Sequence, residues 1–177
     1  MVGAGTAGCV VAARLSEDPD RQVVLVESGP DLVAGAVPPE IEADSFFGAA
    51  GLADRNDGDV LATRTAGGTA RPYRRGRGLG GSSVVNAMVA LRGDSNLYRS
   101  WGWDDAETAW SAMALPEEQP LESELGPVDR ALIGAEGDAR RVPLTRRDGR
   151  RVTSAEAYLW PARARSKVMR RFERVPA

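Results

Sequence analysis

The sequence predicts an α/β fold, and three local observations carry that prediction. The chain opens on Gly3-Ala4-Gly5-Thr6-Ala7-Gly8 and continues through residues 9–15 as an apolar stretch of helical length. Asp18-Pro19-Asp20 stops it, and Gln22-Val23-Val24-Leu25-Val26 is a β-branched run that reads as a buried parallel strand. A second glycine cluster, Gly76-Arg77-Gly78-Leu79-Gly80-Gly81-Ser82-Ser83, leads into residues 84–91. A glycine turn, a helix and a strand in that order begin a doubly wound, Rossmann-like domain. Only Met1-Val2 precedes Gly3, so the strand that should lead into the turn is almost absent, and the domain is read as incomplete.

The remaining elements follow in order. Residues 28–75, rich in Gly, Pro, Asp and Ala, show weak periodicity and read as a long irregular excursion with one short helix near 41–47. Residues 104–124 are acidic and interrupted by Pro116 and Pro120. After Gly126-Pro127 a helix is expected over 128–133, and Asp148-Gly149 is a hairpin turn signal between 142–145 and 150–153. Thr153 and Glu156 stand at capping-box spacing before Ala157-Tyr158-Leu159-Trp160, and Pro161 is expected to end that short helix. The expected division is a nucleotide-domain segment over 1–110 and a partial α+β segment over 111–177.

Composition narrows the chemistry. With 42% hydrophobic and 27% charged residues and a mean hydropathy of −0.31, the 177-residue chain reads as globular. No apolar run approaches the roughly 18 residues of a membrane span, and a cytoplasmic location is expected. One cysteine and no histidine exclude a disulfide framework, multi-cysteine zinc sites, imidazole metal sites and histidine acid-base catalysis within this chain. The net charge of −2 gives no reason to expect nucleic acid as a partner. Charge is nevertheless segregated: residues 1–60, 61–103, 104–138 and 139–177 carry −8, +6, −9 and +9. Such blocks pair when the chain folds back on itself. All but Lys167 of the 23 basic residues are arginines, which reads as coding bias.

The first glycine cluster has the spacing of a dinucleotide-binding turn. Gly3 makes the turn, Gly5 lets backbone approach a pyrophosphate, and Gly8 permits close packing of the helix. The N–H groups of Thr6 and Ala7 then open the helix towards an anion. Glu27, 19 residues past Gly8 at the end of the strand, is placed to accept ribose hydroxyls. Cys9 reads as a small residue packed under the helix. In the second cluster Gly80 and Gly81 leave room for backbone against a phosphate or a ring, and Ser82 either caps a following helix or bonds a phosphate oxygen. Arg77 either bonds a phosphate or pairs with the acidic first block, and Asn86 lies one turn on. The first motif alone leaves NAD and FAD both open.

The segment 76–88, ending in Val84-Val85-Asn86-Ala87-Met88, closely resembles the first signature of the glucose-methanol-choline (GMC) flavoprotein oxidoreductases. The resemblance continues through Ala90-Leu91-Arg92-Gly93 and Tyr98-Arg99-Ser100-Trp101, and returns at 151–162, similar to the family's R-x-S-x-A-x-A-Y-L-x-P stretch. It implies FAD as cofactor and an asparagine, here Asn86, directed at the flavin ring system. It also implies hydride transfer from a small-molecule alcohol to flavin, with an electron acceptor that the sequence does not specify. The family's base is a histidine near the carboxyl end, so the resemblance implies an FAD-dependent oxidoreductase of which this chain alone is inactive. Arg99 departs from the small acidic or amide residue usual there, and residues 166–172 do not resemble the strand expected next. The chain accordingly reads as an amino-terminal portion, truncated at both ends and marginally stable in isolation. Rival readings are a non-catalytic remnant from a broken reading frame and an NAD(P)-binding Rossmann protein.

Overall fold

A computed structural model describes residues 1–58, 60–135, 137, 139–163, 165 and 168–171. It is mixed helix and strand, compatible with a partial Rossmann-like domain. It divides into two compact units, residues 1–87 with 150–177, and residues 88–149.

In the first unit Gly3 turns the chain at φ +91°, and helix α1 (Thr6–Leu15) follows directly. Its buried face is Cys9, Ala12 and Ala13, small side chains that let the helix lie close to its neighbours. Strand β1 (Val23–Val26) is paired on both edges. On one, the Gly3 N–H donates to the Val26 carbonyl and the Val26 N–H to the Met1 carbonyl, at 2.8 and 3.0 Å. On the other, β2 (Val168–Arg171) lies parallel to it, with Val23 opposite Val168 and Val26 opposite Arg171. This corrects the expectation that the tail lacks the next strand: parallel pairing is made by backbone groups, which residues 168–171 supply without the expected sequence. Ser166, Lys167 and Phe172 of that stretch lie outside the described residues. β1 is also less enclosed than expected, because Val23 and Leu25 are buried while Val24 is 39% exposed.

The excursion after β1 contains helices α2 (Pro39–Glu42) and α3 (Phe46–Gly51), the latter capped by the Ser45 hydroxyl. Two short antiparallel ladders follow, Asn56–Asp57 with Arg75–Gly76 and Leu61–Ala62 with Arg71–Pro72. Leu32, Ile41, Ala49, Leu79, Val84, Ala155 and Leu159 join α1 and β1 in one core. Residues 81–84 form a single 3-10 turn and the chain then leaves helical geometry, so no helix runs on towards residue 91. The stretch after Thr153 begins as a π-helical turn (Ala155–Leu159), with the Thr153 hydroxyl accepting the Glu156 N–H at 3.2 Å. Pro161 does not end it. It sits in the helical turn Trp160–Arg163, which continues directly from the π-helical turn.

The second unit contains α4 (Ser95–Ser100), α5 (Ala106–Met113) and α6 (Pro127–Ala135), none with a buried residue. Asp148 and Gly149 both have positive φ, +52° and +73°, as the expected two-residue turn requires. The charge blocks pair within each unit. Arg163 meets Asp31 at 2.6 Å and Arg150 meets Glu42 in the first, and Arg146 meets Glu118 and Glu124 at 2.9 and 2.6 Å in the second. No helix among the described residues is long and apolar enough to cross a membrane.

Candidate cofactor site

The two glycine clusters, more than seventy residues apart in sequence, meet backbone to backbone in the first unit. The Gly80 N–H donates to the Ala4 carbonyl at 2.9 Å, and the Thr6 hydroxyl donates to the Gly80 carbonyl at 3.3 Å. A Cβ at Gly81 would lie 2.7 Å from the Gly5 Cα, so only glycine allows this approach. A Cβ at Gly8 would lie 2.1 Å from the Gly3 carbonyl oxygen, which is why the helix can begin so close to the turn. A Cβ at Gly3 or Gly5 would instead meet nothing within 4 Å. Open space thus faces the turn and the start of α1.

That helix start suits an anion. Its N-cap is Gly5, which offers no side-chain cap; the first turn holds no acidic residue, and Thr6 and Ala7 are exposed. The first N–H groups of a helix have no intrahelical acceptor, and the helix dipole favours negative charge there. With glycine instead of side chains on the approach, the cradle fits a pyrophosphate.

Glu27 is buried beside it. One carboxylate oxygen accepts the Ala4 N–H at 2.7 Å and the other the Gly29 N–H at 2.9 Å. The carboxylate therefore ties the first glycine turn to the end of β1. Each oxygen keeps further lone-pair capacity, so this role is compatible with a ribose contact. Cys9 sits below the turn with its thiol donating to the Ala4 carbonyl at 3.2 Å, and burial raises its pKa, in keeping with a packing role.

The other predicted residues take more local partners. The Arg77 guanidinium donates to the Ser28 carbonyl at 3.3 Å, and its backbone N–H to the Arg55 carbonyl. Ser82 caps no helix, since none follows; its hydroxyl accepts the Gly76 N–H at 3.1 Å. Asn86 is exposed, and its side-chain oxygen accepts from Arg151 at 3.1 Å.

Sequence reasoning gave no role to Ser83, Ser154 or Arg151. The Ser83 and Ser154 hydroxyls lie 2.9 Å apart, and both reach the Gly80 carbonyl, at 2.6 and 3.2 Å. Arg151 is 2% exposed and reaches Ile41, Ser83 and Asn86. Both Arg151 and Ser154 lie in the stretch 151–162 that carries the family pattern, Arg151 at its arginine and Ser154 at a position the pattern leaves open. The pattern marked the segment, but its partners lie in other parts of the chain. Among the described residues no group of histidine, cysteine or carboxylate side chains is arranged to hold a metal ion.

The profile of the family described as GMC oxidoreductase matches residues 1–126. Pyridoxine 4-oxidase of Microbacterium luteolum is 31% identical over 208 residues, spanning 91% of this chain and 39% of that protein. Mitochondrial choline dehydrogenase of Homo sapiens is 40% identical over 119 residues, spanning 60% of this chain and 20% of that one. The crystal structure of pyridoxine 4-oxidase from Mesorbium loti superposes with a TM-score of 0.77 at 30% identity, covering 96% of this chain and 40% of the other. The chain therefore spans about two fifths of the length of these pyridoxine oxidases.

Proposed function

The chain belongs to the GMC oxidoreductase family, and from that premise we propose that it is the FAD-binding amino-terminal portion of an enzyme acting on the CH–OH group of a small alcohol. The observation that carries this reading is the closure of both glycine clusters into one cradle, with the Gly80 N–H on the Ala4 carbonyl and Gly81 against Gly5. Bound FAD supplies the two-electron, hydride-accepting chemistry of such an enzyme.

The chain's own residues bind and orient. In this proposal the open N–H groups of Thr6 and Ala7 hold the pyrophosphate, with Gly3, Gly5 and Gly8 leaving room for it. Glu27 accepts a ribose hydroxyl on the lone pairs it does not give to Ala4 and Gly29. Gly80 and Gly81 bring backbone to the cofactor, Ser82 and Arg77 brace the second cluster from behind, and Asn86 addresses the flavin. We assign residues 1–110 to the cofactor-binding segment and 111–177 to the segment leading towards a substrate domain. An alcohol as substrate is supported by relatives such as the alcohol dehydrogenase [acceptor] of Pseudomonas putida. With no histidine in the chain, we expect no alcohol oxidation by these 177 residues alone.

The test is equilibrium titration of the chain with FAD and with NAD, followed by flavin fluorescence and calorimetry. FAD should bind and NAD should not. Glu27→Ala should weaken FAD by about 10- to 100-fold, since a charge-assisted contact is worth about 1.5–3 kcal/mol. Preference for NAD, or FAD affinity unchanged in Glu27→Ala, would overturn the assignment.

A further inference from the structure

Arg151 is a buried cation surrounded by neutral acceptors. Its side chain is among the largest fully buried among the described residues, and none of the ion pairs there involves it. Burial alone pulls its pKa down to about 10, which leaves it protonated at neutral pH. Its hydrogen bonds go to carbonyl oxygens brought from separate parts of the chain. Nε donates to Ile41 at 3.0 Å, and Nη1 donates to the backbone carbonyls of Ser83 at 3.1 Å and Asn86 at 2.8 Å. Nη1 also donates to the side-chain oxygen of Asn86 at 3.1 Å, while Nη2 is buried without a hydrogen-bond partner. Keeping an uncompensated charge in the interior is costly. A purely space-filling role would be met at lower cost by methionine or leucine.

What the guanidinium does at that place is specific. It spans the exit of the second glycine cluster, gripping both ends of the stretch 83–86. Because a guanidinium only donates, the Asn86 amide must turn its oxygen towards Arg151 and its nitrogen away. We infer that Arg151 is a positioning residue of the cofactor site: it closes the 80–86 turn and fixes the Asn86 amide so that it meets the flavin as a hydrogen-bond donor. The matching flavin atom is then an acceptor, a ring carbonyl or an unprotonated ring nitrogen. This rests on the FAD reading above and deepens it.

The experiment compares FAD with ADP on the full chain and on Arg151→Met and Arg151→Lys, alongside amide hydrogen exchange of residues 80–88. ADP lacks the flavin, so it reports the first glycine cluster and Glu27 without the contact that Arg151 arranges. Arg151→Met should weaken FAD by about tenfold or more, leave ADP nearly unchanged, and speed exchange at 83–86. Arg151→Lys should restore part of the FAD affinity, since an ammonium reaches some of these oxygens but not all. Parallel loss of FAD and ADP would make Arg151 a general structural residue, and unchanged FAD affinity would remove it from the site; either overturns the inference. An unmutated chain that binds neither nucleotide overturns the FAD reading itself, and shows it before any variant is compared. If Arg151→Met does not fold, Asn86→Asp tests the same contact with Arg151 in place. The new carboxylate supplies the missing counter-charge, so Tm should rise, while FAD affinity falls with the lost donor and ADP affinity holds. A lower Tm in Asn86→Asp would show that the guanidinium does not hold this side chain.

Discussion

The two units of this chain are held together by different physics. The first unit is closed by backbone meeting backbone, at Gly80 with Ala4 and at Gly81 with Gly5, over a core that runs from Ala4 to Leu159. The second has only Met88, Ala90 and Arg146 buried among its described residues, and its three helices bury none. Its organising feature is a buried arginine between two glutamates. The difference teaches where each unit is vulnerable. Close-packed glycine contacts have no slack for a methyl group, whereas ion pairs respond to pH and salt.

The largest effect should come from filling a glycine contact. Gly8→Ala places a Cβ 2.1 Å from the Gly3 carbonyl oxygen, and Gly81→Ala places one 2.7 Å from the Gly5 Cα in a residue already at φ +52°. Overpacking of this kind costs about 1–3 kcal/mol or more, a large part of the roughly 5–15 kcal/mol available to a folded domain. Gly51→Ala meets open space at the end of α3 and should be neutral or slightly stabilising. Thermal melts of the three variants check this. Equal melting temperatures would mean that the glycine contact does not hold the first unit.

A smaller and more local effect should come from acid. The Arg146 hydrogen bonds, followed by the Leu121 N–H, hold Glu124 at a pKa of about 2, below its ordinary 4.5. The folded unit therefore binds this proton less readily than the unfolded chain. The stabilisation it contributes is complete above about 4.5 and is lost progressively as pH falls towards 2. Amide exchange around residues 118–124 and 144–147 should rise across that window, and Glu124→Gln should remove the pH dependence. A pH response that persists in Glu124→Gln would place its source in another carboxylate.

The smallest effect should come from Arg92→Gln. The Arg92 and Glu117 side chains are 3.6 Å apart and Arg92 is half exposed, so the pair is worth only about 0.2–0.3 kcal/mol and is screened by salt. A melting temperature within about 1 °C of the parent is expected. A shift of several degrees would show that the second unit depends on its surface pairs as well as on Arg146.

Much of the first unit was legible because its signals are local. The glycine spacing predicts the turn and α1, the β-branched run predicts β1, and the segregated charges predict pairing between blocks. Residues 168–171 do not read as the expected strand because their sequence pattern is atypical, although strand pairing draws on groups that every non-proline residue has. Glycine-serine followed by apolar residues suggests a helix that Ser82 could cap. The actual chain makes a single 3-10 turn, and Ser82 turns back to Gly76.

Residue spacing along a few turns therefore established the nucleotide-domain opening, the meeting of glycine with helix start, and the family signature, because those depend on φ, ψ and side-chain size at adjacent positions. Folding alone settled that Gly81 abuts Gly5, that Glu27 is tied to two backbone N–H groups, and that Arg151 grips Ile41, Ser83 and Asn86. The physical reason is that a backbone carbonyl carries no residue identity. Nothing in a sequence marks which distant carbonyl a buried arginine or a glycine N–H will find, and only the packing of the chain on itself selects it.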